Sequence, residues 1–162
     1  MLGFLSHLSQ LKPIAALPAH SKLEALRQYW EENRQNSALP SRSNFNAERM
    51  IPWLPHISLV DVGHDPLRFR FRLMGTGCVR YAGSDHTGKC IEECVDEHDR
   101  NEALTPYVEC IETQQPVYQS GIHKMAGMKP HAVHRLYLPC TNDGASANLI
   151  VLGVYALELA SA

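Results

Sequence analysis

Leu67-Arg68-Phe69-Arg70-Phe71-Arg72-Leu73 alternates without a break between apolar and basic side chains. A period of two sends successive side chains to opposite faces of a strand, so Phe69, Phe71 and Leu73 are expected to face a core and the arginines to face away from it. Just upstream, Ile57 to Val62 is a short apolar run, and Gly63 to Pro66 supplies a turn between the two. Strands joined this closely form an antiparallel hairpin.

Working outward, Gly75 to about Val95 reads as short helical pieces broken by Gly77, Gly83 and Gly88. Leu104, Tyr107, Val108 and Ile111 then keep helical spacing, with Thr105 as N-cap, Pro106 as the first helical residue and Pro116 as the stop. Val117 to Ile122 and Val133 to Leu138 are further strands, and Asn142-Asp143-Gly144 turns into a last one, Ala147 to Leu157. That last strand is apolar on both parities, Ile150, Leu152 and Val154 on one and Leu149, Val151 and Tyr155 on the other. Both faces of the sheet are therefore covered there.

On the N-terminal side, Ser21-Lys22-Leu23-Glu24 has the pattern of a capping box, and Leu23, Leu26 and Trp30 mark one face of a helix to about Asn33. This helix is the expected cover for the outer sheet face. A polar linker from Asn36 to Ser43 follows. Asn46 then caps a second, short helix, Phe45 and Met50 staple it, and Pro52 and Pro55 confine it. The order predicts an α+β domain: an antiparallel five-stranded sheet, helices inserted between strands 2 and 3, and an N-terminal helical extension. Residues 1–19 are the extension, 20–56 a helical cap and 57–158 the core.

The chain has 162 residues, 44% hydrophobic and 20% charged, which fits one domain with a real core. A formal net charge of −2 gives no pull toward nucleic acid or an anionic membrane, and no apolar run is long enough to span a bilayer. Leu2, Leu5, Leu8 and Leu11 recur every third residue and predict a short amphipathic helix before Pro13. No Lys or Arg precedes them, which argues against an export signal. Cys78, Cys90, Cys94, Cys110 and Cys140 are odd in number and form no Cys-x-x-Cys pair, so reduced thiols in a cytoplasmic protein are expected.

Leu39-Pro40-Ser41-Arg42, Leu54-Pro55-His56-Ile57-Ser58-Leu59-Val60-Asp61-Val62 and Arg68-Phe69-Arg70-Phe71-Arg72-Leu73-Met74-Gly75-Thr76 resemble, in that order, a bacterial PAS family of the PAS_5 type. Gly83-Ser84-Asp85-His86-Thr87-Gly88-Lys89 belongs to the same pattern, and Leu138-Pro139-Cys140-Thr141-Asn142-Asp143-Gly144 is similar to its closing hairpin. The resemblance covers roughly residues 20 to 157. It implies a stand-alone sensory module, cytoplasmic and homodimeric, that binds a small molecule or a signalling protein and carries no output domain of its own. In the fold it implies, a pocket lies between the concave sheet face and the short helices. The candidate lining is Phe69, Phe71 and Leu73 from the second strand, Tyr81 and Ile91 from the short helices, and Tyr107 and Ile111 from the longer one. Tyr118, Tyr137 and His123 join them from the later strands. Such a cleft suits a small, partly apolar ligand.

The remaining motifs have plainer explanations. Gly83 to Cys90 nearly spells a P-loop, but Cys90 lacks the hydroxyl that a magnesium ion needs. Gly75-Thr76-Gly77 has Arg80 where a dinucleotide turn needs glycine. Nine histidines raise haem or metal, yet His131 and His134 point to opposite faces of a strand, His98 has no evident partner ligand, and neither group is expected. Cys90 and Cys94 share a helical face and form the alternative site, for a thiol redox sensor or a small-molecule enzyme; the plainer account is two small buried side chains. Arg68, Arg70 and Arg72 are expected to be solvated or paired with Glu24, Glu31 and Glu32 if the first helix lies over them. Nothing assembles a catalytic constellation.

Overall fold

The computed structural model describes residues 20–35, 37–123 and 129–160. The amphipathic segment expected before Pro13 lies outside them. Helix α1 (Ser21–Asn33) starts one residue earlier than a Ser21 cap would place it. His20 is the N-cap, in extended backbone, and its Nδ1 accepts from the Lys22 N–H at 3.3 Å. Ser21 is thus already helical, and Glu24 turns to Arg27 at 2.6 Å instead of reaching back to a cap. Asn46 does cap α2 (Ala47–Met50): its Oδ1 accepts from the Glu48 and Arg49 N–H groups at 2.8 and 3.1 Å. Phe45 and Met50 are buried in one cluster beside it.

The sheet holds β1 (Ile57–Gly63), β2 (Arg68–Met74), β3 (Val117–His123), β4 (His131–Cys140) and β5 (Leu149–Glu158). Their spatial order is β2-β1-β5-β4-β3, with every pair antiparallel. The strand that is apolar on both parities, β5, is the central one. The polar linker is tied down: Arg42 N–H donates to the Thr141 carbonyl and Thr141 N–H to the Pro40 carbonyl, at 2.9 and 3.0 Å. Between β2 and β3 run α3 (Thr76–Ala82), 3₁₀ turns at Ile91–Glu93 and Glu97–Asp99, and α4 (Arg100–Thr113).

Helix α4 begins six residues before the expected start at Pro106, because the Glu97–Asp99 turn feeds directly into it. Pro106 therefore sits inside the helix, buried, and Thr105 is not a cap; its hydroxyl donates to the Asn101 carbonyl at 2.7 Å. Among the described residues no helix is long and apolar enough to cross a membrane.

The sheet separates two cores. On the outer face Leu23, Leu26 and Trp30 of α1 pack on Leu136, Leu138, Leu149 and Val151, and Trp30 Nε1–H donates to the Pro139 carbonyl at 2.7 Å. These α1 side chains are spent on the chain's own sheet. On the inner face α4 and the 3₁₀ segment cover Phe69, Phe71, Tyr137, Ile150 and Leu152. The strand order also keeps α1 off β2, so Arg72 pairs with Asp61 at 2.6 Å and Arg70 donates to the Gly88 carbonyl at 2.7 Å. The acids expected to meet those arginines pair with Arg27, Arg34 and Arg49 instead.

Candidate functional site

The inner face is built around one close approach. A Cβ on Gly75 would lie 2.5, 2.6 and 2.7 Å from the carbonyl oxygens of Leu54, Pro55 and Ile57, so only glycine lets the chain leave β2 there. Its N–H donates to the Ile57 carbonyl at 2.8 Å. From this anchor α3 carries Cys78 and Tyr81 over the sheet, and the turn at Ile91 and helix α4 close the other side with Tyr107 and Ala103. The cavity, partly open to solvent, has a volume of about 40 Å³.

Of the candidate lining residues, Phe71, Tyr81, Ile91, Tyr107 and Tyr137 meet at this cavity. Phe69 stands behind it, its ring 5.3 Å from that of Tyr107, and Ile111 packs at the junction with the outer core. The side chain of His123 lies outside the described residues. Leu73 is on the other face. The ladder slips between Leu59 and Val60, which face Leu73 and Phe71, so Arg72 is an extra residue and the alternation inverts after it. Leu73 is half exposed beside Leu59 and Met50, and Met74 takes its place at the cavity. Tyr118 also belongs to the outer side, where its hydroxyl bonds His134 Nδ1 and accepts from the His20 N–H.

Sequence reading missed Ser58, Met74, Cys78, Val95, Ala103, Arg135, Leu152 and Val154. Arg135 is the informative omission. It shares strand parity with Val133 and Tyr137 in an apolar run, and it is 5% exposed. A lone arginine on the buried parity of a strand was the available signal.

Electrostatics follow from burial. Desolvation pushes the Tyr81 hydroxyl up to about 12, and the hydroxyls of Tyr107 and Tyr137 are raised by the same cause. Arg135 pulls all three back, but by less. The tyrosines therefore stay neutral hydrogen-bonding groups, and Tyr137 Oη–H donates to Gln119 Oε1 at 3.2 Å. Ser58 and Cys78 hydrogen-bond each other, and burial holds that thiol protonated. The result is an apolar chamber with one fixed cation and several neutral hydroxyls, an arrangement for holding a molecule.

The remaining motifs resolve as connections. Gly83 ends α3 with φ +79°, and at φ +88° Gly88 donates its N–H to the Phe71 carbonyl, while Phe71 N–H donates to the Lys89 carbonyl. The P-loop-like segment thus runs along the edge of β2. Cys90 and Cys94 flank a 3₁₀ turn, both buried, with Cys94 Sγ–H donating to the Cys90 carbonyl at 3.3 Å. Burial raises the Cys94 thiol to about 11 and outweighs Lys89, which works against the thiolate that redox chemistry requires. His131 lies near the Tyr81 ring on the inner side and His134 beside His20 on the outer. Asp96, His98 and Asp99 come within mutual reach of one another at the entry to α4, with His98 exposed and Asp99 buried.

Compared with protein-family models, the chain matches the one described as PAS domain (PAS_5) over residues 18–156. A search of curated proteins finds no match.

Proposed function

The chain belongs to the PAS domain family, a family of sensory modules, and from that premise we propose that it detects a small, partly apolar molecule in the inner-face cavity. The observation that carries this is the cavity itself. Phe71, Tyr81, Ile91, Tyr107 and Tyr137 converge on it from five separate elements, and neutral hydroxyls line part of the wall. Concave, mainly apolar sites with a few placed polar groups are the usual form of a small-molecule site. The reading is non-catalytic, and the occupancy is passed on through protein contacts. Apolar side chains that stay exposed beside α2 and β2, Ile51, Leu54 and Leu73 among them, support a contact of that kind, including one with a second copy.

A native mass spectrum recorded beside the denatured mass tests the proposal. The expected result is an adduct lost on denaturation, and Phe71→Trp, which enlarges a lining ring, is expected to remove it while the circular dichroism stays native. A bare native mass from gently purified protein, with no stabilisation by small-molecule probes, would leave a module that acts through protein contacts alone.

A further inference from the structure

Arg135 is the one lining residue that carries a permanent charge. Guanidinium does not shed its proton in proteins, so burial at 5% exposure leaves a fixed cation in the wall. It projects from β4 on the same parity as Tyr137, and its field reaches the hydroxyls of Tyr81, Tyr107 and Tyr137. Opposite charges attract far more strongly in such a low-dielectric setting than at a surface. The planar fork of a guanidinium also matches the two oxygens of a carboxylate. Apart from Arg135, Ser58, Cys78 and the tyrosine hydroxyls the wall is hydrocarbon, with Phe71, Ile91, Leu152 and Val154 presenting an apolar surface to the body of a bound molecule. One cation and a small cavity fit a singly charged head better than a phosphate dianion. Met74, an unbranched side chain that adapts its shape, lines the same space.

Resting on the pocket reading above, we infer that the cavity takes a small organic acid, its carboxylate on Arg135 and its hydrocarbon body against Phe71, Ile91, Leu152 and Val154. A neutral tyrosine hydroxyl such as that of Tyr107 then supplies a donor for a carboxylate oxygen. Acid and neutral isostere are told apart by the buried charge, and chain length by the room beside Met74.

The test titrates the full chain with butanoate, hexanoate and benzoate, each beside its primary amide, near neutral pH by calorimetry and thermal shift. The expected result is that at least one acid binds tighter than its amide by roughly tenfold or more. Arg135→Lys is expected to keep that preference and Arg135→Gln to abolish it. Acid and amide binding alike, with Phe71→Trp weakening both, overturns the charge inference and leaves the pocket standing. A preference that survives in Arg135→Gln overturns it as well, as does a natively bound adduct whose accurate mass has no acidic group. Binding of no probe together with a bare native mass removes the pocket reading and this inference together. If Arg135→Gln fails to fold, the acid–amide comparison in the unaltered protein still decides.

Discussion

The outer face of the sheet meets helix α1, whose Leu23, Leu26 and Trp30 are wholly buried, with Phe45 and Met50 beside it in the same core, and Gly153 is pressed so close that a Cβ there would come within 2.6 Å of Leu23 Cδ2. The inner face meets three separate segments, α3, the stretch from Ile91 to Val95 and α4, and borders a cavity walled partly by Arg135, Ser58 and three tyrosines. Both faces are built from the same strands, and on β5 from alternate residues of one run. Under α1 the outer face is packed for stability, since a continuous helix can fit its side chains closely to a sheet, while a second cavity opens beside α2, lined by Met50, Leu59 and Leu73. The inner face gives up some packing and accepts a buried charge, which is the composition of a site more than of a core.

The contrast is sharpened most by removing the outer anchor. Trp30→Ala is expected to cost about 3–5 kcal/mol in chemical denaturation, since it opens a cavity and also strands the Pro139 carbonyl. A loss below about 1 kcal/mol would mean that the outer face is not the stability core.

Next in size is a matched pair that adds carbon to each face. Gly153→Ala is expected to cost about 1–3 kcal/mol, because Leu23 and Leu26 have nowhere to retreat. Ala103→Val, facing the cavity, is expected to change stability by less than about 1 kcal/mol, most of it helix propensity. Equal penalties at the two sites would erase the distinction between the faces.

The smallest effect is with pH, and three of the four described histidines behind it, His86 being the fourth, lie on the outer face. The Tyr155 ring is sandwiched between His20 at 4.3 Å and His56 at 4.0 Å, with His134 5.4 Å from His20. Burial lowers all three histidines below their ordinary value. Lys22 adds to this for His20 and His56, and His20 for His134. The folded chain therefore binds fewer protons than the unfolded one once pH falls through about 6.5. Stability is expected to decline from there and level off below the folded-state values, in a denaturation series between neutral and mildly acidic pH. His56→Phe is expected to flatten that slope; a slope that stays the same would assign it to other groups.

The alternation from Leu67 to Phe71, the two apolar parities of β5 and the face of α1 were legible because burial writes itself as period two or period 3.6. They sufficed for the strand count, the helical insertion, the doubly covered central strand and five of the residues that line the cavity. Leu73 was not legible: one extra residue at Arg72 inverts a strand's faces, and the slip is set by pairing with β1, whose register lies in another part of the chain. The start of α4 was misplaced for a similar reason, since the Glu97–Asp99 turn runs directly into the helix and Pro106 is accommodated inside it, buried.

By itself, then, the sequence determined what each segment is and which of its sides is apolar, because those are local properties of side-chain spacing. Only the tertiary structure decided which buried residues adjoin empty space and where the single buried guanidinium points. Those depend on distances between segments far apart in the chain, and no local pattern carries them.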